Sequence, residues 1–175
     1  MAGPPTTVDR DTRAAWIRAN AVEPIVDLGC ADSTYFDASV DYVGLDVDPD
    51  SPDIVGDRPR RFLLGDATRA PIRTDAAATV VLAEILEHLR DPAAAISEAR
   101  RIATDRVLIT VPDEARWRPA ADPGSHDDHE RIYTAALLRD HLLTAGVLYG
   151  DIAIQQLTQP PFAFFVVAVP ARKTL

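Results

Sequence analysis

Short apolar segments recur between residues 25 and 111 and predict the strands of a sheet. They are rich in β-branched residues and apolar at consecutive positions, which is typical of strands covered by helices on both faces. Because neighbouring parallel strands need long crossover connections, the spacing of these segments favours a mostly parallel sheet. The five predicted strands are Ile25–Leu28, Tyr42–Leu45, Arg61–Leu64, Thr79–Ala83 and Arg106–Val111.

Three segments have the spacing of apolar residues that predicts helices. The first covers residues 8–20. The second, Pro92–Thr104, has Asp91 as its predicted N-cap and a proline at the first helical position. The third, Ala135–Ala145, ends at Gly146, a residue type that readily takes the left-handed conformation at helix ends. The residues from Asp113 to Glu130 are polar and predict a loop.

The last part of the chain has a different pattern. Asp151–Leu157 and Phe162–Val169 are strand-like, and only four residues, Thr-Gln-Pro-Pro, join them. This connection is too short for a helix, so the two strands should pair as an antiparallel hairpin. The predicted fold is therefore a single α/β domain over residues 1–175, with a Rossmann-like, open, mostly parallel seven-stranded sheet and an antiparallel C-terminal hairpin.

Composition narrows the classes of function. The chain has 175 residues and a net charge of −9, which argues against non-specific binding to the phosphate backbone of nucleic acids. It has no apolar stretch near the roughly 20 residues of a membrane helix and no secretory signal pattern, so we expect a cytoplasmic protein. With Cys30 as the only cysteine, neither an intramolecular disulfide nor a cysteine zinc cluster is expected.

Small and acidic residues stand where the first three predicted strands end. In an open parallel sheet, ligands bind at this edge, and Gly29 after the first strand would let backbone amides approach a ligand. Asp46 after the second strand could accept hydrogen bonds from ribose hydroxyls. Asp66 after the third could accept from an adenine amine, and Ala67 could offer its backbone amide.

Each of these residues also has a purely structural interpretation. Gly29 could simply form a tight turn, and Asp66 could cap the turn that follows it. An exposed turn aspartate is the alternative for the acid after the second strand, although that description suits Asp48 better than Asp46.

The order and spacing of several segments resemble the class I S-adenosylmethionine-dependent methyltransferases, in the broad group related to ubiquinone-biosynthesis enzymes. The resemblance covers about residues 24–146 and rests on the segments Asp27–Cys30, Gly44–Asp46, Gly65–Ala67, Leu86–Pro92 and Glu98–Arg101. It implies S-adenosylmethionine as the cofactor. The implied contacts to the methionine part, the ribose, the adenine and the cleft are Asp27, Gly29, Cys30, Asp46, Val47, Asp66, Ala67, Ala83 and Glu84.

The chain departs from this family in two places. The family's loop usually reads Gly-x-Gly-x-Gly, whereas Gly29, Ala31 and Ser33 occupy these positions here. The added Cβ atoms disfavour a positive φ and narrow the space for the cofactor. Only about a dozen residues separate the first two strands, and Asp48–Arg60 is rich in Pro and Asp, so we expect trimmed helices between strands 1 and 3.

Methyl transfer is an in-line displacement that depends mainly on alignment, and a base helps when the acceptor is a hydroxyl. The predicted bases are His126 and His129, over the expected substrate site, and His88, which is often structural in the resembling family. The segment His126–His129 could also suggest a metal site, but a solvated acidic loop is favoured, so no metal is expected. His141 lies within a predicted helix and is expected to be structural.

Three classes of function stay open at this point. The leading one is methyl transfer to a small molecule, for example a glycan, a lipid or a natural-product intermediate. A nicotinamide-dependent oxidoreductase is disfavoured because the first loop lacks Gly-x-Gly-x-x-Gly and the hairpin does not suit that fold. The third class is a methyltransferase-like scaffold that binds a partner subunit or a second copy of itself. Neither a membrane nor a nucleic acid is an expected partner.

Overall fold

The computed structural model describes residues 12–31, 35–36, 39–50, 61–117, 129–159 and 162–172. Ser33 and His126 lie outside these residues. The described chain forms a seven-stranded sheet in the order β3-β2-β1-β4-β5-β7-β6. The strands are β1 Ile25–Leu28, β2 Tyr42–Asp46, β3 Arg61–Leu64, β4 Ala77–Ala83, β5 Ala103–Pro112, β6 Gln155–Gln159 and β7 Phe162–Pro170.

The pairing of the strands confirms the predicted fold class. Strands β1 to β5 pair in parallel with one another, whereas β7 runs antiparallel between β5 and β6. Strand β6 begins at Gln155 rather than at the predicted Asp151. Residues Tyr149–Asp151 form a 3₁₀ turn, and pairing with β7 starts only where Gln155 meets Val166.

Four helices connect or flank the strands of the described chain, namely α1 Thr12–Asn20, α2 Pro92–Ile102, α3 Glu114–Trp117 and α4 Ala135–Thr144. Asp91 caps α2 as predicted, because its Oδ1 accepts from the backbone of Ala94 at 3.0 Å. Helix α2 stops two residues before the predicted Thr104, since Ala103 already pairs with β4. Gly146 follows α4 with a φ of +77°, as a left-handed C-terminal residue should.

The connections near the start of the sheet are short. Residues 29–31, 35–36 and 39–41, between β1 and β2, contain no helix, in agreement with the predicted trimming. Most of the connection from β2 to β3, residues 51–60, lies outside the described residues.

Helices cover both faces of the sheet. Alternate residues of a strand point to opposite faces. On β4, Val81 packs in one cluster with Ile17 of α1, whereas Val80 packs in another with Ile96 of α2 and Leu138 of α4. None of the helices in the described part of the chain has both the length and the apolar character that a membrane span requires.

Candidate active site

A tight turn at the end of β1 packs against the loop after β4. Gly29 has a φ of +76°, and its backbone amide donates to the carbonyl of Leu45 at 2.7 Å. A Cβ at this position would overlap Cδ1 of Ile85. Only glycine combines this backbone conformation with so close an approach, so Gly29 keeps the ends of β1, β2 and β4 together.

Asp46 lies beside this turn, at the end of β2. Its Oδ2 accepts from the backbone amide of Ala31 at 2.9 Å, and its Oδ1 accepts from the amide of Asp48 at 3.0 Å. The side chain is half-buried, and the next residue, Val47, is exposed. Each carboxylate oxygen has more than one lone pair, so the fixed carboxylate can also accept from the hydroxyls of a ligand.

Ala31 occupies the second glycine position of the resembling family and has a φ of +40°. The sequence predicts that alanine disfavours this conformation, and the structure adopts it nonetheless. The hydrogen bond from the amide of Ala31 to Asp46 holds the strained backbone in place. The turn therefore keeps a glycine-like path without the glycine.

Asp27 and Cys30 lie below the surface of this region. Asp27 is 1% exposed and accepts a hydrogen bond from the hydroxyl of Tyr42 at 2.8 Å. Cys30 is buried against Gly44, where a Cβ would come within 2.7 Å of the Cys30 sulfur. Both residues support the turn from within the protein.

Asp66 is exposed just after β3. Its Oδ1 accepts from both the backbone amide and the hydroxyl of Thr68, each at 2.8 Å. The turn-capping interpretation is therefore realised in the structure, and it leaves the carboxylate at the same sheet edge as Asp46. Ala67, which follows Asp66 in the sequence, is buried.

A group of acidic and histidine side chains lies where β4 and β5 end; we call it the Glu–His cluster. It consists of Glu84, Glu87, His88, Glu114 and His129. Glu84 follows the buried Ala83 with a φ of +54°, an uncommon conformation for a residue with a side chain. Its Oε1 accepts from the hydroxyl of Thr110 at 2.7 Å, and its Oε2 lies 3.5 Å from the guanidinium of Arg13.

Two carboxylates of the Glu–His cluster are almost completely buried. Glu87 is 1% exposed and Glu114 is 0% exposed. Burial raises the pKa of Glu87 well above its ordinary value, and the nearby charges of Glu84 and Glu114 raise it further, while Arg13 opposes them. Burial therefore favours the protonated, neutral form of this carboxyl group more than in an exposed glutamate.

The structure brings together two of the three predicted bases. The rings of His88 and His129 meet edge to face, with centroids 4.7 Å apart. Nδ1 of His129 lies 2.6 Å from Oε1 of Glu114. The third predicted base, His126, falls outside the described residues.

Hydrogen bonds made by the two residues after His129 fix its position. The amide of Glu130 donates to the carbonyl of Glu87 at 2.9 Å. The guanidinium of Arg131 donates to the carbonyls of Leu86, at 2.7 Å, and of Leu89. The segment that carries His129 is therefore attached to the loop that carries Glu87 and His88.

Sequence reasoning missed Glu87, Glu114 and Arg13 as site residues. The spacing Glu84-x-x-Glu87-His88 was a usable signal, because three ligating side chains within five residues after a strand end fall at the ligand-binding edge. No comparable signal marked Glu114, which lies in a segment predicted to be a polar loop and is folded into α3.

Comparison with known proteins agrees with this geometry. Residues 26–109, from β1 to most of β5, match the family of methyltransferase domains. The matched region holds Asp46, Asp66 and the part of the Glu–His cluster after β4. None of the curated proteins matches the chain in sequence.

Solved structures share the fold. A SAM-dependent methyltransferase from Thermotoga maritima aligns with a TM-score of 0.74 at 16% identity, covering 91% of this chain and 88% of that one. Magnesium protoporphyrin IX methyltransferase from Synechocystis, with bound SAH, aligns with a TM-score of 0.63 at 15% identity, covering 93% and 78%.

A third similar structure is the complex of the Trm112 methyltransferase activator of Haloferax volcanii with a candidate methyltransferase. It has a TM-score of 0.67 and 16% identity, and the coverage is 86% of this chain and 82% of that one. The domain match covers a little under half of the chain, and the solved structures share its fold.

Proposed function

We propose that this chain transfers the methyl group of S-adenosylmethionine to a small-molecule acceptor, such as a glycan, a lipid or a natural-product intermediate. The observation that carries the proposal is the position of Asp46. Its half-buried carboxylate is held at the end of β2 by the turn that contains Gly29 and Ala31, where it can accept from the hydroxyls of a ribose. Within class I, the segment Leu86–Pro92 favours the group related to ubiquinone-biosynthesis enzymes.

The residues present fit the cofactor. The turn at Gly29 is too close to Ile85 for a side chain, so its backbone is the surface offered to the methionine part. Asp46 would hold the ribose, while Asp66 and the amide of Ala67 would hold the adenine. The cofactor supplies a methyl group on a positively charged sulfur, which needs no further activation.

The Glu–His cluster lies on the other side of Gly29, at the ends of β4 and β5, and we assign the acceptor to this side. A hydroxyl acceptor must lose its proton as the methyl group arrives, and a positioned imidazole can take it. Glu114 holds the ring of His129 in one orientation, as the carboxylate partner of a catalytic histidine does.

Calorimetric titration with S-adenosylmethionine and S-adenosylhomocysteine tests this function. We expect saturable binding that weakens by about 10- to 100-fold in Asp46→Asn, which removes the charge that assists the ribose hydrogen bonds. Asp48→Asn is the matched control, because Asp48 is an exposed acid two residues away whose side chain accepts from the backbone amide of Asp50. A folded protein that binds neither compound would contradict the proposal.

The second candidate is a catalytically weak, methyltransferase-like subunit that acts through a partner chain or a second copy of itself. Two observations favour it: the replacement of a glycine by Ala31 in the cofactor turn, and the similar Haloferax volcanii structure, which is a complex with an activator. Light scattering of the purified chain, with and without S-adenosylmethionine, separates the two candidates. A monomer that binds the cofactor supports the enzyme, and an oligomer that does not bind it supports the subunit.

A further inference from the structure

Three side chains of the Glu–His cluster are arranged like the ligands of one cation. Glu87, His88 and His129 each offer one ligand atom, and these atoms all lie within 4.8 Å of one another. Ligands of one metal ion with bond lengths near 2.1 Å lie about 3.4 Å from one another in tetrahedral geometry. The three atoms therefore need to draw together by up to about 1.4 Å to share an ion.

The carboxyl group of Glu87 is buried and only partly hydrogen-bonded among the described residues. Oε2 of Glu87 is fully buried and has no hydrogen-bond partner in the part of the chain that the structure describes. The charges of Glu84 and Glu114 act on this carboxylate, and Arg13 is the cation that opposes them. A divalent ion bound here would supply the partner that Oε2 of Glu87 lacks among the described residues and would favour the ionised carboxylate.

The contacts around His129 resemble those of metal-bound histidines. Such a ring bonds through one nitrogen to a carboxylate, which orients the other nitrogen toward the metal. Here Nδ1 of His129 lies 2.6 Å from the buried Glu114, so Nε2 would be the nitrogen that binds an ion. The bond from the amide of Glu130 to the carbonyl of Glu87 links the two halves of the site before any ion binds.

We propose that Glu87, His88 and His129 bind a divalent first-row transition cation, such as Zn²⁺, Co²⁺ or Mn²⁺. One carboxylate and two imidazoles suit these ions better than Mg²⁺ or Ca²⁺, which prefer oxygen ligands throughout. The site uses His129 but otherwise differs from the His-Asp-Asp-His segment considered from the sequence. It gives His88 and His129 the role of ligands, and the bound ion would then take over the activation of a hydroxyl acceptor that the proposed function assigns to His129.

Three protein ligands leave coordination positions open. A hydroxyl or carbonyl oxygen of the methyl acceptor could fill one of them, and the ion would then lower the pKa of an acceptor hydroxyl. This second statement rests on the proposed function, whereas binding of the ion does not. The acceptor class it implies is a small molecule with an oxygen donor next to the methylated atom.

The experiment is a titration of chelator-treated full-length protein with Co²⁺, followed by its visible absorption, and with Zn²⁺, Mn²⁺ and Mg²⁺ by calorimetry. We expect about one Co²⁺ per chain and weak or undetectable Mg²⁺ binding. His129→Gln and Glu87→Gln should each weaken Co²⁺ binding by at least about 10- to 100-fold, since even indirect partners of metal ligands have effects of that size.

Two histidine variants serve as controls. His141→Gln changes a histidine outside the proposed ligand set, whose Nδ1 lies 3.0 Å from the hydroxyl of Tyr133, and should bind Co²⁺ like the unaltered chain. His126→Gln tests the acidic loop instead, and loss of binding there with binding kept in His129→Gln would overturn the proposed site. Absence of saturable Co²⁺, Zn²⁺ and Mn²⁺ binding by the folded protein would overturn it as well.

Failure of this proposal can be distinguished from failure of the proposed function. A chain that binds S-adenosylmethionine but no transition cation contradicts only the metal site. A chain that binds the cation but neither S-adenosylmethionine nor S-adenosylhomocysteine keeps the metal site and contradicts methyl transfer.

Discussion

The backbone amide of Ala31 donates a hydrogen bond to Oδ2 of Asp46 at 2.9 Å, across fifteen positions of sequence. This bond joins the turn after β1 to the end of β2. It also couples the strained φ of Ala31 to the carboxylate that we assign to the ribose. The shape of the cofactor turn and the orientation of its acid are therefore set together.

Ala31→Gly should stabilise the protein. Glycine takes a φ of +40° without the conformational strain that alanine has there. The relief of this strain should exceed the cost of the larger conformational entropy of the unfolded chain, so the free energy of unfolding should rise by about 0.5–1 kcal/mol. Urea unfolding measures the change. Ala136→Gly in α4 is the control and should destabilise by about 1 kcal/mol. Equal losses in both variants would show that Ala31 is not strained.

Gly29→Ala should destabilise the protein by about 2–3 kcal/mol. The new Cβ would require Ile85 to move and would also place alanine at a φ of +76°. Gly150→Ala is the matched control, because a Cβ there has no neighbour within 4 Å. Urea unfolding compares the two variants, and a similar small change in both would argue against the tight turn.

Arg100→Lys should cost about 1–2 kcal/mol of stability, because the buried guanidinium donates to the carbonyls of Ala145, at 2.9 Å, and Pro170, at 3.2 Å. An ammonium group cannot span both acceptors in the same geometry. The exposed Arg69→Lys change should stay within about 0.5 kcal/mol in the same urea unfolding experiment. Indistinguishable unfolding midpoints for the two variants would contradict the bridging role of Arg100.

His141 should make stability depend on pH. Burial lowers its pKa below 6.5, and the positive charge of Arg131 lowers it further, against the opposing charges of Asp140 and Asp91. Nδ1 lies 3.0 Å from the hydroxyl of Tyr133, and the neutral ring can accept a hydrogen bond from that hydroxyl. The unfolded chain therefore takes up this proton first as the pH falls, so stability is present above 6.5 and is lost as the pH falls from 6.5 through the folded pKa.

Urea unfolding at about pH 7.5 and about pH 5.5 measures this effect. The unaltered chain should lose more stability between the two values than His141→Gln, in which the titrating group is absent. Other groups titrate in both proteins, so the difference isolates His141. The same loss in both proteins would mean that His141 titrates alike in the folded and unfolded chains.

The sequence predicted the inner strands of the sheet well because β1, β4 and residues 107–112 of β5 are largely buried and mostly apolar. The residues of β1, and those of β4 apart from its first two, were predicted from this pattern, and Asp91 marked the start of α2. The positive φ of Ala31 was not predicted, since a distant partner, Asp46, imposes it.

The Glu–His cluster shows the same limit of local patterns. Glu114 looks like an ordinary loop acid in the sequence. It is buried only because α3 packs on β7 and because the segment from His129 to Arg131 returns to the loop after β4. Both contacts bring together residues far apart in the chain, which neither periodicity nor residue type reveals.

The insertion of β7 between β5 and β6 has a consequence for synthesis on the ribosome. Of the seven strands, the last to be made forms one of the inner positions of the sheet. Until residues 162–170 have emerged, the outer edge of β5 exposes unpaired backbone groups, and β6 has no neighbour to hold it. The nascent chain must therefore pass through a stage in which this strand edge is unpaired. A chaperone or another copy of the chain can bind to the edge at that stage.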